Sequence, residues 1–258
     1  MIGPDIDWKR PPRKPDLSRD EVQVWKVGLE ATPRRLSRYI QLLSGQERIR
    51  AERFHFQRDR RRFIVRHAAL RMILSRCLDA EPAQVQFAFG SRGKPYLAGP
   101  FKDGEVQFNM SHSQDLALIA LTRNRETGVD LEQIRPVPDI EQIVERYFSP
   151  RERGVFFSLP PDQKLEAFFN GWTRKEAFVK ALGEGLARPL DEFDVTLRPG
   201  EPARLIGIRN APQEAFQWSL QALAPGRDMI AALAVEGGDW RLACWRWSER
   251  QAFPQPAF

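Results

Sequence analysis

Apolar and polar positions alternate with two clear periods along this chain. Between Leu165 and Gly183 it reads LEAFFNGWTRKEAFVKALG; at about 100° per residue, Leu165, Phe168, Phe169, Trp172, Val179 and Gly183 share one side of a helix, with Glu176 among them. The pattern predicts a helix over about 163–182, ended by Gly183 and Gly185. Upstream, 21–29 alternates as a strand, and Thr32-Pro33 opens a helix to about 43. Ser44 to Glu47 matches a capping box, so a second helix should run to about 56. A third starts at Asp59, with Phe63, Leu70, Leu74, Cys77 and Leu78 on its apolar face. Short strands follow at 85–89, 96–97, 107–111, 116–122 and 127–131, then a helix over 140–147 and a short one capped by Ser149-Pro150. Further strands are expected at 193–197, 217–223, 229–235 and 242–247, with irregular ends at 1–20 and in the tail QAFPQPAF.

Composition changes this picture little. A chain of 258 residues with 42% hydrophobic content buries a sizeable core, as one large domain or two compact halves. Cys77 and Cys244 have neither zinc-ligand spacing nor a disulfide framework, which suits a reducing, cytoplasmic setting. No run approaches the roughly 20 apolar residues of a membrane span, and the start lacks the apolar core of a signal peptide. The net charge of +6 is modest, but ten arginines lie between Arg48 and Arg76 against the acids Glu52 and Asp59. Such a block expects an anionic partner: nucleic acid, a phosphorylated small molecule, an acidic protein or a membrane surface.

The candidate chemistry is carboxylate and phosphate chemistry. On a strand over 127–131, Asp130 and Glu132 share one face while Val129 and Leu131 take the other. Two carboxylates side by side repel unless a cation separates them, and oxygen ligands without His or Cys favour a hard ion such as Mg²⁺. Glu176 interrupts an apolar stripe and needs a cation, a donor network or a cleft. Lys180 sits one turn on, and Lys175 flanks the stripe. Gly93 and Lys94 lie in a turn that suits close approach to a phosphate, and His112 stands between Ser111 and Ser113 in a connecting segment. Taken singly, each has a plainer reading: a surface Glu176–Lys180 pair, an exposed acidic edge, an ordinary turn, a loop histidine.

Together, GVDLE at 128–132 and WTRKEAFVK at 172–180 resemble the two signatures of the 4′-phosphopantetheinyl transferases. Arg62 with FIVRHAALR, the turn RGKP and the segment FNMSHS at 108–113 look like blocks of the monomeric, surfactin-synthetase-activating class, so the resemblance covers roughly 44–197. It implies an α+β fold of two similarly folded halves forming a pseudo-dimer, with the active site at their interface. The expected division is an irregular segment 1–20, an N-terminal half 21–126 contributing to coenzyme A binding, a C-terminal half 127–248 with the metal-binding and catalytic motifs, and a tail 249–258. The implied reaction moves phosphopantetheine from coenzyme A to a serine of an acyl or peptidyl carrier protein and releases adenosine 3′,5′-bisphosphate. By resemblance, Asp130, Glu132 and Glu176 hold Mg²⁺, and Lys180 stabilises the leaving group. Either Glu176 or a water on the metal takes the serine proton. Arg62, Ser111 and His112 hold coenzyme A with Lys94 near its adenine end, and Arg50 adds a contact to the 3′-phosphate. Relatives can carry basic residues at both ends of the interval matching Glu47 to Arg50; here the first is Glu47, for which Arg48 is a possible substitute. The resemblance implies a monomer, with no nucleic acid and no membrane as partner. The rivals are a nucleic-acid-binding module using the arginine block, which lacks a recognised nucleic-acid motif, and a degenerate relative that only binds carrier proteins.

Overall fold

The computed structural model describes residues 6–12, 15–102, 105–185 and 188–248. The expected tail at 249–258 lies outside the described residues, as do the first five residues of the N-terminal segment. In that segment Trp8 packs into the core, and Lys9 forms a bridge to Trp245.

The elements fall into two runs with the same order. The first is β1 (Glu21–Gly28), α1 (Pro33–Leu42), α2 (Gly45–Glu52), α3 (Gln57–Leu78), β2 (Gln86–Phe89), β3 (Pro95–Ala98), β4 (Val106–Ser113) and β5 (Leu116–Arg123). The second is β6 (Thr127–Gln133), α4 (Ile140–Tyr147), α5 (Pro150–Phe157), α6 (Pro161–Leu182), β7 (Phe193–Val195), β8 (Leu205–Ile208), β9 (Trp218–Leu223) and β10 (Met229–Glu236). Each run is a strand, two short helices, a 22-residue helix, an antiparallel strand pair and two more antiparallel strands. The main sheets match too: β1-β5-β4 in the first run corresponds to β6-β10-β9 in the second. This is the α+β architecture of two similar halves. A final strand, β11 (Arg241–Arg246), pairs in parallel with β1, so the expected C-terminal half, 127–248, gives its last strand to the first sheet. There β11 covers what would otherwise be the open edge of β1.

Alternation along the strands sets four layers. Phe63, Ile64 and Ile73 of α3 pack on Trp25, Val27, Ile119 and Leu121. The opposite faces of β1 and β5, with Val22, Val24, Leu118 and Ala120, meet Val129, Leu131, Leu233 and Val235 of the second sheet. That sheet's outer face, Ala232 and Ala234, receives Ala177, Phe178 and Ala181 of α6. Gly128 allows that last approach: a Cβ there would run into the Ala177 carbonyl oxygen and the Ala181 amide nitrogen.

Local signals set most boundaries. Ser44 and Glu47 form the expected capping box, and Ser149 and Glu152 form another. Gly183 ends α6 in the left-handed region with φ +72°. Three expectations shift. Helix α2 stops at Glu52, short of residue 56, and α3 begins at Gln57. Thr32 precedes α1 without a side-chain capping bond. The short strand β8 joins β7 where no strand was expected.

Candidate active site

Strand β4 is an edge of the first sheet and β6 an edge of the second, and the two edges pack against each other. His112 lies within β4, not in a connecting loop as expected, because pairing with β5 continues to Ser113. The strand therefore has two chemically different faces. Asn109, Ser111 and Ser113 are buried towards β6. Asn109 Oδ1 accepts from the Val129 amide at 3.0 Å, and Ser111 Oγ donates to Asp130 Oδ1 at 3.0 Å. Ser113 Oγ donates to Glu132 Oε2 at 3.4 Å and accepts from the Gln133 amide at 3.2 Å.

On β6, Asp130 stands opposite Ala232, on the face that meets α6. Lys180 reaches across from α6: its Nζ is 2.6 Å from Asp130 Oδ1 and 3.1 Å from Ser111 Oγ. The surface Glu176–Lys180 pair considered for this helix is replaced by this longer-range contact. Glu176 is half-buried one turn before Lys180. Burial first, then the charges of Asp130 and Glu132, raises its carboxyl above the ordinary range. Glu132 is raised likewise by burial and then Asp130, against the pull of Arg135. The three carboxylates thus share one electrostatic neighbourhood.

That neighbourhood suits a hard cation in its chemistry. Asp130 is buried, and its Oδ2 has no hydrogen-bond partner, while Oδ1 is held by Ser111 and Lys180. An orphaned carboxylate oxygen beside two carboxyls raised by burial and like charge is chemically compatible with a hard, oxygen-preferring cation. Among the described residues, no group of three or more His, Cys, Asp and Glu side chains is gathered tightly enough to hold a metal as it stands. Lys180 supplies the positive charge on Asp130 instead.

A bank of cations lies against the His112 side of β4. Desolvation of the His112 ring, then the positive charges of Arg66, Lys180 and Arg62, pushes it down to about 4, so it is neutral at pH 7. Arg66 is driven down to about 10 by burial and then by Arg50. Both guanidiniums lie over the Phe63 ring, at 5.5 Å for Arg50 and 5.1 Å for Arg66. Of the expected cofactor-binding residues, Arg50, Arg62 and His112 therefore share this region, whereas Ser111 is on the other face of β4, bonded to Asp130 and Lys180. Lys94 sits beside the C-terminal end of α6, with Nζ 2.6 Å from Glu126 Oε2 and 2.6 Å from the Ala181 carbonyl. Its turn contains Gly93 at φ +83°.

Two networks went unread in the sequence. Glu47 accepts from the Ser44 amide at 2.7 Å, His67 Nδ1 at 3.0 Å and Arg71 Nε at 2.8 Å. Arg48 does not replace a cation there, since it is turned onto the carbonyls of Leu43 and Gln41. Lys175, expected at the flank of the stripe, is fully buried, with Nζ 2.8 Å from Glu152 and bonded to the carbonyls of Leu190 and Phe193. It joins α5, α6 and β7 behind Glu176. The capping-box pattern at Glu47 was visible in sequence, but nothing local marks Arg71 or Glu152 as partners.

Two similar α+β halves meet at a carboxylate and lysine cluster beside a cation bank, an arrangement suited to a multiply charged anionic substrate. Family comparison gives the class a name. Residues 126–245 match the model of the 4'-phosphopantetheinyl transferase superfamily, and 28–124 match that of the 4'-phosphopantetheinyl transferase N-terminal region. The chain is 42% identical to the 4'-phosphopantetheinyl transferase HetI of Nostoc sp. over 238 residues, 92% of this chain and 97% of that protein. It is 28% identical to the 4'-phosphopantetheinyl transferase Sfp of Bacillus subtilis over 160 residues, 62% of this chain and 69% of that protein. A solved holo-[acyl-carrier-protein] synthase of Thermotoga maritima aligns with a TM-score of 0.33 at 22% identity, over 43% of this chain and 62% of that one. The chain belongs to the 4′-phosphopantetheinyl transferase superfamily. Among its described residues no helix is long and apolar enough to cross a membrane.

Proposed function

We propose that this protein transfers the 4′-phosphopantetheine moiety of coenzyme A to a serine hydroxyl of an acyl or peptidyl carrier protein, with Mg²⁺ as cofactor. The observation that carries the reading is the convergence of Asp130, Glu132, Glu176 and Lys180 at one seam, with Arg50, Arg62, Arg66 and His112 beside it. The cation bank takes the phosphates of coenzyme A, and Lys94 lies towards the adenine end. The carrier serine oxygen attacks the pantetheine-side phosphorus of the pyrophosphate. The bond to the bridging oxygen breaks, and adenosine 3′,5′-bisphosphate leaves.

Asp130, Glu132 and Glu176 would hold Mg²⁺, whose chemistry is to neutralise charge on the pyrophosphate during transfer. Lys180 is already poised beside Asp130 to place an ammonium against the leaving phosphate. Glu176, partly exposed at the seam, is the group of this chain that we assign to accept the serine proton. His112, neutral at pH 7, presents a ring nitrogen to phosphate without adding to the crowded positive charge. That one chain supplies both halves of the seam supports a monomer, and coenzyme A and carrier proteins as substrates support a cytoplasmic setting.

The test is incubation with coenzyme A, Mg²⁺ and a panel of apo carrier proteins of fatty-acid, polyketide and nonribosomal-peptide type. Intact mass spectrometry should show one phosphopantetheine added to at least one carrier. Absence of transfer to every carrier would sink the assignment.

A further inference from the structure

We propose that Ser111 and Ser113 are positioning residues that hold Asp130 and Glu132 ready for a divalent cation. The inference rests on the metal-binding part of the function proposed above. Strands β4 and β6 belong to different sheets, so no backbone ladder fixes their spacing. Alternate side chains of β4 do so instead, through Asn109, Ser111 and Ser113. Residues two apart on a strand share a face, so the three rungs meet β6 in order along its length, at Val129, Asp130 and Glu132.

The rungs differ in what they hold. Asn109 fixes the Val129 backbone amide, which is a structural task. Each serine ends on a carboxylate, and its direction is set by a second bond. Ser111 Oγ accepts from Lys180 Nζ, and Ser113 Oγ accepts from the Gln133 amide. With those donors at its lone pairs, each hydroxyl has its single proton left for the carboxylate. Ser111 therefore directs Asp130 Oδ1 away from a ligand, leaving Oδ2, the buried oxygen without a partner, as the one on offer. Ser113 does the corresponding work on Glu132, bonding its Oε2. Hydrogen bonds to the ionised forms also offset repulsion between two carboxylates held on one strand face.

The test is Mn²⁺ binding, followed by the electron paramagnetic resonance signal of the free ion, with the metal-induced rise in melting temperature as a second readout. Wild type is compared with Ser113→Ala, Ser113→Cys, Ser113→Thr, Ser111→Ala and Asn109→Ala. Loss of the Ser113 hydroxyl should weaken Mn²⁺ binding about tenfold or more, with Cys as poor as Ala because it keeps the volume but not the strong donor. Thr should restore binding. Asn109→Ala should lower the melting temperature equally with and without metal. Mn²⁺ affinities of Ser113→Ala and Ser111→Ala both within about twofold of wild type would overturn the proposal. A wild type that binds no Mn²⁺ would instead overturn the metal reading and take this proposal with it. Measuring both readouts without substrate keeps these outcomes apart from any loss of transferase activity.

Discussion

Glu47, in the first turn of α2, is surrounded by donors that make it a counter-charge within the first half. Burial alone would raise its carboxyl, but the His67 hydrogen bond, then Arg71 and the Ser44 amide, bring it down to about 2. His67 itself is held below its ordinary range by burial, so it is neutral at pH 7 and Arg71 is the charged partner. A carboxyl whose folded pKa lies below its ordinary 4.5 adds stability above that value and loses it as pH falls towards 2. The difference corresponds to about 3 kcal/mol at neutral pH. Glu47→Gln should therefore lower unfolding free energy by about 2–3 kcal/mol at pH 7, and urea titrations at pH 7 and pH 3 should show the gap shrinking in acid. A gap that does not change with pH would refute the ionised network. Glu176 gives the second prediction at this scale. Glu176→Gln removes the negative charge and the basic oxygen while keeping the shape, so near-ultraviolet circular dichroism should match wild type. Turnover should fall by a factor of about 10²–10⁴; wild-type turnover would remove Glu176 from the mechanism.

At the scale of elements, the seam depends on how closely β6 and α6 approach. Gly128→Ala would force a methyl group against helix backbone at Ala177 and Ala181, which cannot rotate away. A loss of about 2–3 kcal/mol is expected, together with a turnover defect at temperatures where the variant stays folded, because the Lys180 to Asp130 contact spans the same gap. Gly154, inside α5 with open space around it, is the contrast: Gly154→Ala should stabilise by about 0.5–1 kcal/mol. Thermal unfolding of both variants checks the pair; equal effects would show that the close approach is unimportant. Helix α4, the Ser44–Glu47 capping box and the shared face of Asp130 and Glu132 were legible in sequence because each follows from spacing within a few residues. Lys175 and Arg174 were not. The apolar stripe puts Lys175 at its flank and says nothing of Arg174, yet α6 is buried on nearly every side, and their partners, Glu152 and Thr196, lie about twenty residues away in the chain. Lys180 was legible as part of the site but not in its contact with Asp130, for the same reason. The repeat of helix and strand order, expected from the family resemblance, is not legible in the residues themselves, because matching halves require only matching polarity, not matching residues.

At the scale of the molecule, two similar halves invite the expectation of two independent folding units, and the core argues against it. The layer between the sheets is built from both: Val22, Val24, Leu118 and Ala120 on one side, Val129, Leu131, Leu233 and Val235 on the other. Strand β11 comes from the end of the described chain but completes the first sheet, so that sheet cannot form fully until the second run has been traversed. Lys26 of β1 adds a tie of its own, donating to the Pro225 carbonyl of the second run at 2.8 Å. Leu118 and Leu233 are both fully buried in the shared layer, one from each half. Leu118→Ala and Leu233→Ala should each cost about 2–5 kcal/mol by leaving a cavity there. If the halves unfold together, each variant moves one transition, and tryptophan fluorescence and far-ultraviolet circular dichroism give the same midpoint. Independent halves would instead give two transitions, with each substitution moving only its own. Cooperative unfolding is also what the chemistry requires, since His112 and the arginines belong to the first half while the carboxylates and Lys180 belong to the second. A half that loosened by itself would separate the phosphate-binding face of β4 from the acids on β6, so loss of transferase activity on heating should coincide with that single transition rather than precede it.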